Sequence, residues 1–166
     1  IFAWFIENCV PYQYYEEARS RGISLYELLE EKASLLAPGE NGLVALDWHN
    51  GNRSVLMDAN LRGLVLGYTL RTRAEDTYRT LIEATAFGAR KIVETHEVGA
   101  GVLEGIYACG GLTKNGMLMQ IYADVLGRPI RVASSTQPVA LGSAILGALA
   151  AGKVNGGYDE PTEAVL

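Results

Sequence analysis

Apolar positions along the 166-residue chain fall into alternating helical and extended patterns. The strongest covers 73–96, where Tyr78, Leu81, Ile82, Thr85, Ala89 and Ile92 recur at three- and four-residue spacing and predict the longest helix. Glu75 and Arg79 on that helix are spaced as an exposed i,i+4 pair, worth about 0.2–0.5 kcal/mol, and Glu83 reads as a solvated carboxylate. At the start, Ile1, Phe2, Phe5, Ile6 and Cys9 also have helical spacing, with no cap or turn residue before them. Pro11 ends that segment. Tyr12–Arg21 is a short helix closed by Gly22, and Ser24 then caps a helix over 25–36, with Glu27 completing a capping box. Pro38-Gly39 and Asn41-Gly42 punctuate a loop. Short apolar runs predict strands at 43–48, 106–109 and 130–133. His49-Asn50-Gly51-Asn52 reads as a turn into a further extended piece at 53–57, and 58–67 as a looser segment. A helix of small residues covers 140–151. The alternation makes the chain α/β, with too few strands for a comfortable complete sheet.

The most informative stretch is 104–129. Its strand delivers Gly110 and Gly111 to one point, and a Thr-Lys-Asn step opens an amphipathic helix whose stripe is Leu118, Ile121, Tyr122, Val125 and Leu126. Thr113 is the expected N-cap. Gly127 stops the helix, and Pro129 prevents its resumption. Two residues without side chains beside a helix start let a ligand approach backbone closely. A glycine turn required only for tight packing explains the same residues.

Composition narrows the choice of partner. The net charge of −5 and pI near 5.1 provide no basic stripe for phosphates, which argues against nucleic acid or an anionic membrane as a partner. No apolar run approaches the roughly 18 residues of a membrane span. Cys9 and Cys109 lie far apart in apolar surroundings and are expected to be reduced and buried, as in a cytoplasmic protein. His49 and His96 have no partner at ligand spacing, so no metal site is expected. The chain opens on Ile1 inside an apolar segment and closes on helix formers after Pro161, so it is expected to be a piece of a longer protein.

Nucleophile and phosphate-loop motifs are missing: there is no GxxxxGK[ST], GxSxG or GxGxxG. Ser134-Ser135-Thr136 offers hydroxyls without a nearby histidine and reads as a polar loop. Asp47 and His49 would share a strand face, as a base with its partner or as part of a structural hairpin.

The run GGLTKNGMLMQIYADVLGRPI followed by PVALGSAILGALAAG resembles the C-terminal domain of the FGGY carbohydrate kinases. RGLVLGYTLRTRAEDTYRTLIEATAFGAR is similar to the second signature of that family, with Gly63, Gly67, Asp76, Glu83 and Ala84 at the corresponding positions. Tyr68, Thr77 and Thr80 depart from it. ALDWHNGNRS, 45–54, is similar to the branch of the family that phosphorylates L-ribulose. The resemblance spans about 1–158. It implies a ribonuclease-H-like (actin-like ATPase) α/β domain, the C-terminal half of a sugar kinase, incomplete at its start, with 1–166 as one partial domain. It implies ATP and Mg²⁺ as cofactors, with Mg²⁺ held mainly by the nucleotide and by parts of the enzyme outside this chain. Those parts would also supply the catalytic aspartate and phosphate loops, so no catalytic residue is expected here.

By the same resemblance Gly110 and Gly111 would flank adenosine, Asn115 would make a polar contact near adenine, and Lys114 would lie near the phosphates. Asp47, Asn50 and Arg53 would form a substrate-proximal loop. A sugar and ATP are the implied partners, with a homo-oligomer left open. The alternatives are a kinase of another pentulose or a polyol, and a non-catalytic actin-like module that binds nucleotide or acts in interactions.

Overall fold

The computed structural model describes residues 1–135 and 137–160; Thr136 of the hydroxyl triplet and the terminal residues 161–166 lie outside them. Three helices open the chain: α1 (Phe2–Cys9), α2 (Tyr12–Arg21) and α3 (Leu25–Ser34). The expected local signals close them. Gly22 ends α2 in the left-handed region, and the Ser24–Glu27 capping box starts α3. Strands β1 (Val44–Leu46) and β2 (Leu64–Leu66) follow, then the long helix α4 (Ala74–Ala100). The chain continues with β3 (Ile106–Ala108), a 3₁₀ turn (Gly111–Lys114), α5 (Gly116–Leu126), β4 (Ile130–Val132) and α6 (Pro138–Ala151).

The core is a helical cluster around the first half of α4. Phe2, Phe5 and Ile6 of α1, Leu29 and Ala33 of α3, and Leu118 and Ile121 of α5 close on Tyr78, Leu81, Ile82 and Ala86. The Phe2 ring meets Tyr78 edge-on at 5.8 Å between centroids, and Phe5 stacks on the same ring at 6.4 Å. Complete burial of a side chain such as Ile82 contributes about 1.5–3 kcal/mol, so this cluster, and not the short strands, anchors the unit. Thr85 of the predicted stripe is half-buried, and beyond Ala86 the stripe emerges, with Ala89 half-buried and Ile92 exposed.

Sheet pairing departs from the sequence reading. β1 pairs antiparallel with β2, with Ala45 opposite Val65, so the segment expected to be loose supplies a strand. Residues 53–57 form none, because Oδ1 of Asn52 accepts from the N–H groups of Val55 and Leu56 and curls them into a loop. β3 and β4 pair in parallel across α5, a βαβ unit.

Polar placement also differs. Glu75 and Arg79 are buried and do not pair with each other. The Tyr14 hydroxyl donates to Glu75, while Arg79 donates from Nε to Glu83 at 2.8 Å and from Nη1 to the Ala33 carbonyl. Glu83 is therefore a held carboxylate. Cys9 and Cys109 are free and exposed, each lying just past the packed part of its element.

Candidate functional site

The Gly110-Gly111 turn stands at the C-terminal end of β3, where a parallel strand hands the chain to a helix. Gly110 has φ of +98°, a conformation L side chains rarely adopt, and a Cβ built on either glycine would meet nothing within 4 Å. Tight packing therefore does not account for them; the turn opens onto free space. Both are exposed, as is Lys114. Thr113 is not the N-cap, because it lies inside the 3₁₀ turn that precedes the helix and its hydroxyl donates to the Gly110 carbonyl at 2.7 Å. Asn115 takes that role: its Oδ1 accepts from the Leu118 N–H at 2.7 Å, and its Nδ2 reaches the Tyr78 hydroxyl at 3.5 Å. The strand–turn–helix unit thus fixes Asn115 against the core while leaving the two glycines bare.

A second feature lies between the 47–54 loop and α4. β1 ends at Leu46, so Asp47 and His49 leave the sheet, and the His49 N–H closes a tight turn onto the Asp47 carbonyl at 2.8 Å. The His49 ring packs against Gly63 and lies 5.7 Å from the Trp4 ring. Asp47 faces the other way. Its carboxylate rests on α4 at Gly88, and burial holds it above the usual carboxylate range, although its own backbone N–H and His49 pull it down. The cavity there has a volume of about 620 Å³. Asp47, Asn50 and Arg53 all line it, which brings together the three loop residues marked in the sequence. Gly110, Gly111, Lys114 and Asn115 do not. The opposite wall is Phe87, Gly88, Lys91 and Ile92 of α4. Sequence reasoning missed these. The apolar spacing of α4 ran through Ile92, but nothing local shows that this turn faces a loop forty residues upstream.

No group of three or more His, Cys, Asp or Glu side chains is gathered to hold a metal ion among the described residues. No helix among the described residues is long and apolar enough to cross a membrane.

The model of the FGGY family of carbohydrate kinases, C-terminal domain, matches residues 1–151, a span that includes the glycine turn and the 47–54 loop. The chain belongs to the FGGY family. It is 53% identical over 165 residues to a ribulokinase of Geobacillus thermodenitrificans and 55% identical over 166 residues to one of Anoxybacillus flavithermus. Each alignment takes in 99% of this chain and 29% of the relative, so the chain spans about three-tenths of the length of these relatives. Among solved structures, the xylulose kinase of Rhodospirillum rubrum superposes with a TM-score of 0.67 at 27% identity, covering 77% of this chain and 25% of that one. The FGGY likeness bears out the expected fold, part of an actin-like, ribonuclease-H-like α/β domain.

Proposed function

We propose that this chain is the nucleotide-facing part of an FGGY kinase that transfers the γ-phosphoryl group of ATP to the 5-hydroxyl of L-ribulose. The observation that carries the reading is identity of 53–55% over nearly the whole chain to proteins named ribulokinase, against 27% to the xylulose kinase. Residues 1–166 belong to one domain, and the adenosine of ATP lies along the bare Gly110-Gly111 turn. A side chain at Gly111 would stand where the nucleotide enters. Asn115, the N-cap of α5, lies beside the adenine, and Lys114 lies towards the phosphates.

In the reaction, the sugar O5 bonds to the γ-phosphorus as the bond from that phosphorus to the bridging oxygen breaks. ADP leaves with the electron pair, and the hydroxyl proton passes to a carboxylate base carried outside this chain. Such catalysis is chiefly positioning and charge stabilisation. The contribution of this chain is to fix the nucleotide; it carries no catalytic residue and has no turnover alone. Mg²⁺ accompanies ATP and neutralises phosphate charge when bound. The enzyme works in the cytoplasm, where both substrates are found. The reading is tested by incubating the protein that carries this chain with MgATP and L-ribulose and following the product by ³¹P NMR. A phosphate whose three-bond carbon coupling runs to a carbinol carbon, and not to the ketone carbon, identifies the 5-phosphate; phosphorylation elsewhere on the sugar, or none, overturns it.

A further inference from the structure

Asn41, Asn50, Asn115 and Asn155 each precede a glycine. Such a pair is open to an intramolecular reaction, because glycine puts no side chain between its own amide nitrogen and the asparagine Cγ. The structure separates the four. Asn41 donates to the Asp76 carbonyl and to Thr80 Oγ1, and its Oδ1 accepts from the Leu43 N–H. Asn115 is committed through Oδ1 to the start of α5. Asn155 donates to the Ala151 carbonyl at 3.0 Å. Asn50 is exposed, and its carboxamide has no hydrogen bond among the described residues.

The glycine beside it is one the loop cannot replace. Gly51 has φ of +74°, and a Cβ there would stand 2.7 Å from the Ala59 Cα. Paired backbone bonds of 2.9 Å between Asn52 and Asp58 hold that segment against the turn. Packing therefore demands the residue that leaves Asn50 reactive. The Gly51 N–H donates to the Trp48 carbonyl at 3.1 Å and has to release it first. Gly42 and Gly156 make the same bond three residues back, so it does not rank these three pairs; the carboxamide does.

We propose that Asn50 is a site of spontaneous deamidation in the folded protein, giving aspartate and isoaspartate at that position. The Gly51 amide nitrogen loses its proton and bonds to Asn50 Cγ; the Cγ–Nδ2 bond breaks, and Nδ2 leaves as ammonia with that proton. Water then opens the five-membered succinimide at either of its two carbonyl carbons, and a proton returns to the Gly51 nitrogen. No oxidant or reductant takes part. Either product puts a second carboxylate into the lining that Asn50 shares with Asp47, and isoaspartate also lengthens the main chain by a methylene within a tight turn. The inference stands on the side-chain bonds of the four asparagines and does not need the phosphoryl-transfer reading.

The test is incubation of the protein carrying this chain in mildly alkaline buffer made with H₂¹⁸O, folded and in denaturant, followed by peptide mapping in a mass spectrometer. Each opened succinimide takes up a heavy oxygen from the water, so conversion at every asparagine is read separately. In denaturant the four pairs are expected to react at similar rates. In the folded protein Asn50 is expected to react at least about fivefold faster than each of the others, which must first break a hydrogen bond. Asn50→Gln should remove the signal at that position, since closure then needs a six-membered ring, and leave the other three rates as they are. The proposal is overturned if another of the four leads in the folded protein, if all four keep pace there, or if Asn50 reacts only in denaturant.

Discussion

The Asp47 carboxylate lies so close to Gly88 that a Cβ added there would stand 2.8 Å from Oδ2. This contact joins the 47–54 loop to α4 and sets the floor of the cavity. The atom in the way ends a short side chain, so Gly88→Ala should displace Asp47 and leave the helix intact. Alanine also gains up to about 1 kcal/mol over glycine in a helix interior. The melting midpoint should therefore hold or rise. A thermal scan checks this; a clear fall in stability would show that Asp47 cannot move out of the way.

The two glycines of the turn should respond differently to substitution. Gly110 has φ of +98° and ψ of −177°, a region nearly reserved for glycine, so Gly110→Ala should cost about 1–3 kcal/mol in a denaturant titration. Gly111 has no such restraint and open space around it. Gly111→Ala should be close to neutral for stability, and Gly111→Trp should keep the fold while raising KM for ATP strongly. A G111W variant with unaltered ATP affinity would remove the nucleotide from this turn.

Arg79 is 6% exposed and ties Glu83 to the Ala33 carbonyl, linking α4 to the end of α3. Arg79→Ala should lower stability by about 3–5 kcal/mol, because it leaves a largely buried carboxylate without its cation. Chemical denaturation measures the change; a cost below about 1 kcal/mol would mean that the pair is solvated.

Alkaline pH should loosen the helical core. Tyr14 is raised from 10.0 to about 12 by burial and by its bond to Glu75, and Tyr78 is raised to about 12, chiefly by burial. Between those values the folded chain holds protons that the unfolded chain has lost, so stability is complete below pH 10 and falls as pH rises towards 12. Tyr14→Phe should reduce that slope without abolishing it, since Tyr78 remains. It should also cost about 1–3 kcal/mol at neutral pH by leaving Glu75 short of a donor. Denaturant midpoints across the alkaline range test both effects.

Features set by neighbours in the chain were legible in the sequence. The Ser24–Glu27 box, the limits of α2 and the Gly127 stop depend on bonds spanning a few residues, and all are present. Features set by distant partners were not. Residues 53–57 have the composition of a strand, but Asn52 captures their N–H groups and β1 finds β2 instead. Arg79 has a glutamate four residues away on either side; Tyr14, from another helix, takes Glu75 and leaves Glu83. Thr113 and Asn115 are both good caps, and only the intervening 3₁₀ turn selects Asn115. The glycine turn and the loop carboxylate were visible as chemistry, whereas Lys91 and Phe87 gained their place only when α4 met the loop.

The most direct measurement of the central claim is ADP release by the protein carrying this chain, given MgATP and, in turn, L-ribulose, D-ribulose, D-xylulose and glycerol. The account predicts the strongest stimulation with L-ribulose and a large rise in KM for ATP on Gly111→Trp. Stimulation by none of the four would contradict it and leave a nucleotide-binding or interaction module without phosphoryl transfer.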